Sequence, residues 1–555
     1  MMNYLKILSC PDSVRIQEDE EWLSAENNNN EWIAGDSSLT ISEKNNSSRL
    51  LLQTGNKGLK RVYLRWNGEH SPGSLVLGDQ WERSYGDLEW AGIRPEKNLP
   101  WYFLVLSSGI THGIGVETGP SAMCFWRVDE EGVSLFLDVR NGTEPVLLGN
   151  RKLEAAVIKV MAGRDGISSY RAHRNFCEML CCDPKLPDHA IYGGNNWYYT
   201  YGITSSREEI LHDSTVISQL SESENRPYMV IDNGWQSCSY YGDYNGGPWD
   251  RGNNFFPEMH TLAENMKSEG VRPGIWFRPL QTVEKLPFSW RRFYEPQGGY
   301  QLDPSIPEVL QHIADDTGRL TDNWGFQMIK HDFSTRDIFG TYGNQFGNRL
   351  THFNKRSLDM ANTIGSLTGS VLDEPSVPFA DRTLTTAEIV KNFYSAIGDA
   401  AGKALVIGCN TLTHLAAGII PIQRTGEDTS SFSWEKTRRY GINALSHRMG
   451  QHSTFYHIDA DCVGIDGQIP WELNREWLRL LADSGTPLFV SADPKSLTAE
   501  IRRDLKKAFS KAAQIQEPAE PLNWTASTTP VSWKIGNKIK KYNILRHDGK
   551  ELFYG

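Results

Sequence analysis

The chain has 555 residues, more than a single domain at about 150 residues each, and its 39% hydrophobic and 23% charged content is that of a globular protein. A formal charge of −11, from 68 acidic against 57 basic side chains, argues against nucleic acid or an anionic membrane as the main partner. No apolar run approaches the roughly 18 residues of a membrane span, the N-terminus lacks a signal-peptide core, and eight cysteines without a CxxC pair form no disulfide framework, so the expected location is cytoplasmic.

Residues 1–185 read as a β-sandwich. Short β-branched or aromatic segments at 38–41, 62–66, 101–106, 134–139 and 155–160 alternate with Gly, Asn, Asp and Ser clusters. The run 27–30 reads as a polar loop, and a helix over 169–181 leads through Pro184 and Pro187 into a different regime.

Over residues 186–515 short apolar runs recur at 191–199, 228–232, 272–277, 327–332, 404–408, 419–424, 454–459 and 487–491, each placed as a fully buried strand. Helical patterns at 205–220, 259–269, 306–323 and 386–401 fill most gaps, and repeated βα units point to a (β/α)₈ TIM barrel. The interval 332–404 is long and 408–419 too short for a full helix, which keeps an open doubly wound sheet as the alternative. Residues 516–555, strand-like at 531–535 and 541–545, form a short C-terminal β segment that must dock on the barrel, since it cannot stock a core alone.

Polar residues at the C-terminal ends of barrel strands face the active site. Those ends carry Asn196–Trp197, Asp232–Asn233, Trp276, Lys330–Asp332, Cys409–Asn410, Arg424–Asp428 and Asp459–Asp461. Lys330 lies two residues before Asp332, on the same face of an extended strand, and Arg424 lies four before Asp428. Two carboxylates with cations beside them suit glycoside hydrolysis, where a retaining enzyme holds its pair about 5–5.5 Å apart. A neighbouring Lys favours an ionised nucleophile, whereas Arg424 beside Asp428 opposes proton retention and suits substrate binding or loop shaping. The 18 Trp and 21 Tyr offer aromatic planes for a core or for sugar rings.

Residues 447–462 contain His447, His452, His457, Asp459, Asp461 and Cys462, which read as one strand rather than a metal site, because His-x₄-His on extended chain points its rings to opposite faces. The stretch 113–119 (GIGVETG) lacks the helix and glycine spacing of a dinucleotide loop, and no P-loop or GxSxG elbow occurs.

Six motifs occur in a telling order: 229–236 (MVIDNGWQ), 274–277 (GIWF), 328–333 (MIKHDF), 407–410 (IGCN), 424–429 (RTGEDT) and 459–462 (DADC). Together they resemble glycoside hydrolase family 36, the α-galactosidases and relatives that share a clan with family 27. Residues 78–90 (GDQWERSYGDLEW) resemble a segment of that family's N-terminal sandwich. The resemblance implies a retaining exo-α-glycosidase acting on α-linked galactosides or related oligosaccharides without metal or cofactor. It implies Asp332 as nucleophile and Asp428 as general acid/base. Lys330, Arg424 and Asp232 match positions that bind sugar hydroxyls, and Trp197 and Trp276 match positions that wall the ring. Cys409, Asn410 and Asp461 match positions lining or supporting the pocket, and Trp81 would reach in from the sandwich.

Asn233 stands where the family usually has a second Asp, which removes charge-assisted bonds to the sugar. Arg278 replaces the Glu of many larger members, and the tail is shorter than the family's C-terminal domain. The same residues admit another α-glycosidase, including an α-N-acetylgalactosaminidase, for which the resemblance places Asn410 and Thr411 beside the 2-substituent. They also admit transfer to a sugar acceptor, as in raffinose synthase, or a carbohydrate-binding protein on an inactive barrel. Nothing in the sequence speaks to oligomeric state.

Overall fold

The computed structural model describes residues 3–239, 244–294, 298–340 and 378–546. Alternating burial builds the N-terminal sheets: along Ser37–Lys44 and Ser47–Thr54, Leu39, Ile41, Leu50 and Leu52 turn into the core. The turn between these strands is Asn45–Asn46, both at positive φ, as a two-residue hairpin of right-handed twist requires. Asn29 and Asn30 do the same between Glu26–Asn28 and Glu31–Ala34. Residues 27–30 are therefore the tip of a hairpin and not a featureless loop; Asn tolerates the left-handed region better than other non-glycine residues. A six-stranded and a nine-stranded antiparallel sheet share one core in this part of the chain.

Eight buried strand positions follow in chain order and run parallel: Tyr192–Asn195, Tyr228–Ile231, Arg272–Phe277, Met328–His331, Leu405–Gly408, Ile422–Arg424, a divided seventh, and Leu488–Ala492. The last pairs back onto the first, so the sheet curls round in barrel order and is not an open doubly wound sheet, with its ladder interrupted at the seventh position. The seventh position is split by Ala460 and Asp461. His457–Asp459 pairs with the sixth strand and Cys462–Ile465 with the eighth, and Asp461, at φ 73°, makes the break. The expected run 454–459 is thus only three residues of strand, and 462–465 is a strand that the apolar pattern did not reveal. The first run is also shorter than expected, because Trp197–Thr200 turns into one helical turn past the strand end.

The helix Thr386–Ala400 shows why the helical stretches are well delimited. Thr385 accepts from Glu388 N at 3.1 Å while Glu388 Oε2 accepts from Thr385 N at 2.9 Å, a reciprocal capping box. The Thr385 hydroxyl also donates to Ser121 O at 2.7 Å, tying the helix start to the sandwich. Thr385→Ala should cost about 1–2 kcal/mol, read as a lower unfolding midpoint, with Thr385→Ser close to the parent protein.

The tail pairs Ser532–Ile535 with Lys538–Lys541. The second strand ends at Lys541 and does not span 541–545, because the turn at Gly536 comes early enough to fold the chain straight back. Lys540 Nζ and Tyr542 Oη reach Asp483 Oδ2 at 2.7 and 2.5 Å, so the segment docks on the barrel helix Trp471–Ser484 as its small size demands.

Residues 447–462 do not form one strand. His447 lies on the helix Asn443–Arg448, and Ser453, at φ 60°, turns the chain so that the His452 and His457 rings sit 4.9 Å apart instead of on opposite faces. His452 Nε2 lies 3.1 Å from Gly485 O, and its Nδ1 accepts from Ile458 N at 3.2 Å, which occupies both ring nitrogens. Among the described residues no helix is long and apolar enough to cross a membrane.

Candidate active site

The barrel's strand ends open into a cavity of about 310 Å³. Eight residues expected there line it: Trp197, Asp232, Asn233, Trp276, Lys330, Asp332, Asn410 and Asp428. Asp332 sits one residue past the fourth strand. Its Oδ2 accepts from Trp276 Nε1 at 3.0 Å and its Oδ1 from Phe333 N at 2.8 Å. Phe333 has φ 65°, an unusual region for a bulky residue, and this turn directs the preceding carboxylate into the cavity. With the amide orientation that satisfies both neighbours, Asn410 donates to Asp332 Oδ1 at 2.6 Å and accepts from Arg83.

Lys330 does not pair with Asp332. Its ammonium lies 2.7 Å from Asp232 Oδ2, which also accepts from Asn195 Nδ2 at 2.7 Å. Burial works to lower Lys330, but the charge of Asp232, with Asp332 adding, holds it well above its ordinary value and therefore cationic. Asn233 Oδ1 accepts from Gln236 Nε2 at 2.8 Å.

Asp428 lies four residues past the sixth strand's Arg424, deep in the protein with 44% of its side chain open to the cavity. Burial would raise its pKa; Arg424, Arg83 and Lys330 outweigh burial and hold the carboxyl below its ordinary range. Glu427, its neighbour in the cavity wall, moves the other way: burial raises it, Arg83 opposes, and Asp428 adds to the rise. The two neighbouring carboxyls are thus pushed in opposite directions, Glu427 upward and Asp428 downward.

Four residues of the expected set lie outside the cavity wall. Arg424 is buried behind it, with Nη2 2.6 Å from Asp461 Oδ2 and 3.0 Å from Asp428 Oδ1. Cys409 lies 3.8 Å from Arg424 Nη1, and Asp461 accepts from Thr429 N at 2.7 Å and from the Tyr198 hydroxyl, so both support the wall. Trp81 does not reach in. Its indole packs edge-on against Trp101 at 4.8 Å inside the sandwich, and the side chain that enters from this segment is Arg83.

Arg83, Asn245, Phe333 and Glu427 line the cavity without having been expected. Three of them lie in or beside quoted motifs, two residues after Trp81, next to Asp332 and next to Asp428; Asn245 carried no signal. Arg278 shapes this side: it pairs with Asp337 at 2.5 Å, lies 4.5 Å over the Phe333 ring and donates to Asn245. Away from the cavity, Glu284, His312 and Asp316 bring three possible ligand atoms within 4.8 Å of one another, but Arg319 also pairs with Asp316 there, which makes the group an ion-pair cluster.

An N-terminal β-sandwich, a (β/α)₈ barrel with carboxylates at its mouth and a short docked β segment define the architecture. No family model matches the chain. Its fold is similar to that of the α-galactosidase from Thermus thermophilus solved with p-nitrophenyl α-D-galactopyranoside, with a TM-score of 0.58 at 16% identity, covering 96% of this chain and 99% of that one. The family 36 α-galactosidase AgaA from Geobacillus stearothermophilus gives 0.59 at 13% identity, over 95% of this chain and 77% of its own. The α-galactosidase from Lactobacillus brevis gives 0.54 at 13%, over 90% and 70%. At such identities the likeness is one of fold, and function rests on the site.

Proposed function

We propose that the protein is a retaining exo-α-glycosidase of the family 36 type that removes terminal α-linked galactose. The observation that carries this reading is the pair Asp332 and Asp428 on one cavity, linked through Asn410 and Arg83. Asp332 attacks the anomeric carbon as the bond to the leaving oxygen breaks, and Asp428 delivers a proton to that oxygen. The resulting β-linked glycosyl-enzyme is opened by water that Asp428 deprotonates, releasing the sugar with its α configuration. Trp276 and Trp197 give the ring an apolar wall, and the Lys330–Asp232 pair offers charge-assisted bonds to hydroxyls. The similar fold of α-galactosidases solved with galactosides, raffinose and stachyose supports the substrate class.

The test is release of nitrophenol from the activated α-galactoside, with the first-formed sugar anomer read by NMR. Initial α-galactose supports the reading; initial β-galactose or no turnover of any α-glycoside overturns it. Thr411 turns its hydroxyl to Gln423 Oε1 at 2.8 Å, so only Asn410 of the two residues offers contact to a 2-substituent, which favours galactose over its N-acetyl derivative. Asn233→Asp should lower KM for the galactoside by roughly fivefold, the difference between a neutral and a charge-assisted hydrogen bond of about 1 kcal/mol. An unchanged KM would show that this position does not read the sugar.

A further inference from the structure

The segment Trp81–Tyr85 belongs to the N-terminal part of the chain, yet it forms part of the barrel's mouth. Ser84 N donates to Thr425 O at 2.9 Å and Glu427 N donates to Ser84 O at 2.8 Å, a parallel bridge that fixes the loop carrying Asp428. Gly426 makes this loop path possible, because a Cβ there would stand 2.0 Å from Tyr440 O. Beside the bridge, the buried Arg83 guanidinium spreads its donors over three partners. Nη1 reaches Asp428 Oδ1 at 3.2 Å, Nη2 lies 3.3 Å from Glu427 Oε1, and Nε and Nη2 reach the Asn410 amide oxygen at 3.0 and 2.7 Å. Asn410 in turn holds Asp332.

We propose that Arg83 is a positioning residue, delivered from the sandwich, that fixes the Glu427–Asp428 carboxyl pair and, through Asn410, orients Asp332. The inference rests on the glycosidase reading above. A planar fork of fixed donors suits three partners at once; an ammonium would serve one or two. Glu427 and Asp428 adjoin in the cavity wall and share Arg83, whose charge works against burial at both carboxyls. The other groups facing Asp428 are Arg424 and Lys330 from the barrel strands, Tyr198 and Tyr201 after the first strand, and Asp461 behind Arg424. Arg83 is the one among these cations that the barrel does not itself supply.

The experiment compares the parent protein, Arg83→Met and Arg83→Lys by the pH profile of kcat/KM on phenyl α-galactoside, whose poorer leaving group makes proton delivery matter. The acid must be protonated, and removal of a cation raises its pKa. In Arg83→Met the basic limb should therefore move to higher pH by about one unit, with kcat reduced about tenfold or more. Arg83→Lys should return the limb toward its original position while kcat recovers only in part. A purely structural role would lower the rate at every pH without moving the limb, and that result in a folded Arg83→Met protein overturns the proposal. If Arg83→Met does not fold, Arg83→Gln, which keeps donors for Asn410, carries the same expectation. If the parent protein turns over no α-glycoside, the glycosidase reading fails by itself. The carboxyl infrared band, assigned with Glu427→Gln and Asp428→Asn, then decides whether Arg83→Met moves the pair's titration upward; no movement overturns the proposal.

Discussion

Replacing Asp332 with Gly should lower kcat/KM by about 10⁴-fold or more, with azide restoring part of the rate. Three donors aim this carboxylate: Trp276 Nε1, Phe333 N and the Asn410 amide. All three remain in the variant and surround a space already open to the cavity, so water can serve them and the unfolding midpoint should change little. The chemistry changes more specifically. Azide in the vacated space attacks from the side the carboxylate used, which yields the β-galactosyl azide. In Asp428→Gly the glycosyl-enzyme still forms from an activated substrate, and azide then attacks from the opposite side to give the α-azide. NMR of the two products distinguishes the roles. Near-normal turnover in Asp332→Gly, or the α-azide from it, would remove Asp332 from the nucleophile's place.

Parallel strands buried on both faces read as continuous apolar runs, so the barrel positions are legible in the sequence pattern, apart from the second half of the seventh. With them came the strand ends, and hence Asp332 and Asp428. The divided seventh strand was not legible, because its break is a single aspartate in the left-handed region and nothing in the local pattern marks Asp461 as such. His452 and His457 escape the sequence pattern for the same reason: an extended path would set their rings on opposite faces, and Ser453 turns the chain between them. Arg83 was hidden differently. It touches Asp428 across 345 residues of sequence, and the backbone between Trp81 and Arg83 bends, so the indole enters the sandwich core while the guanidinium faces the barrel. Alternation rules hold for strands and give no guidance in such a segment. The contact to the barrel is made by Arg83, two residues after the indole.

The same seam sets the largest expected loss of stability. Arg448, fully buried, places Nε 2.8 Å from Asp79 Oδ1, and Gln451 Nε2 lies 2.9 Å from Asp79 Oδ2. Its Nη1 donates to Thr425 O at 3.0 Å, the same carbonyl that receives Ser84 N. Arg448→Met should cost about 3–5 kcal/mol, because the Asp79 carboxylate is left buried without its cation. Thr425 O keeps one of its two donors, so the loop bearing Glu427 and Asp428 loosens, and kcat should fall at temperatures where the protein is still folded. Thermal unfolding reads the first effect and turnover well below the midpoint reads the second. Asp79→Leu combined with Arg448→Met removes both charges and should recover most of the stability, since an ion pair replaced by apolar groups of similar volume is often neutral. It should not recover the activity, because Thr425 O still lacks Arg448. A double variant as unstable as the single one would show that packing at this seam, and not the uncompensated carboxylate, holds the sandwich to the barrel.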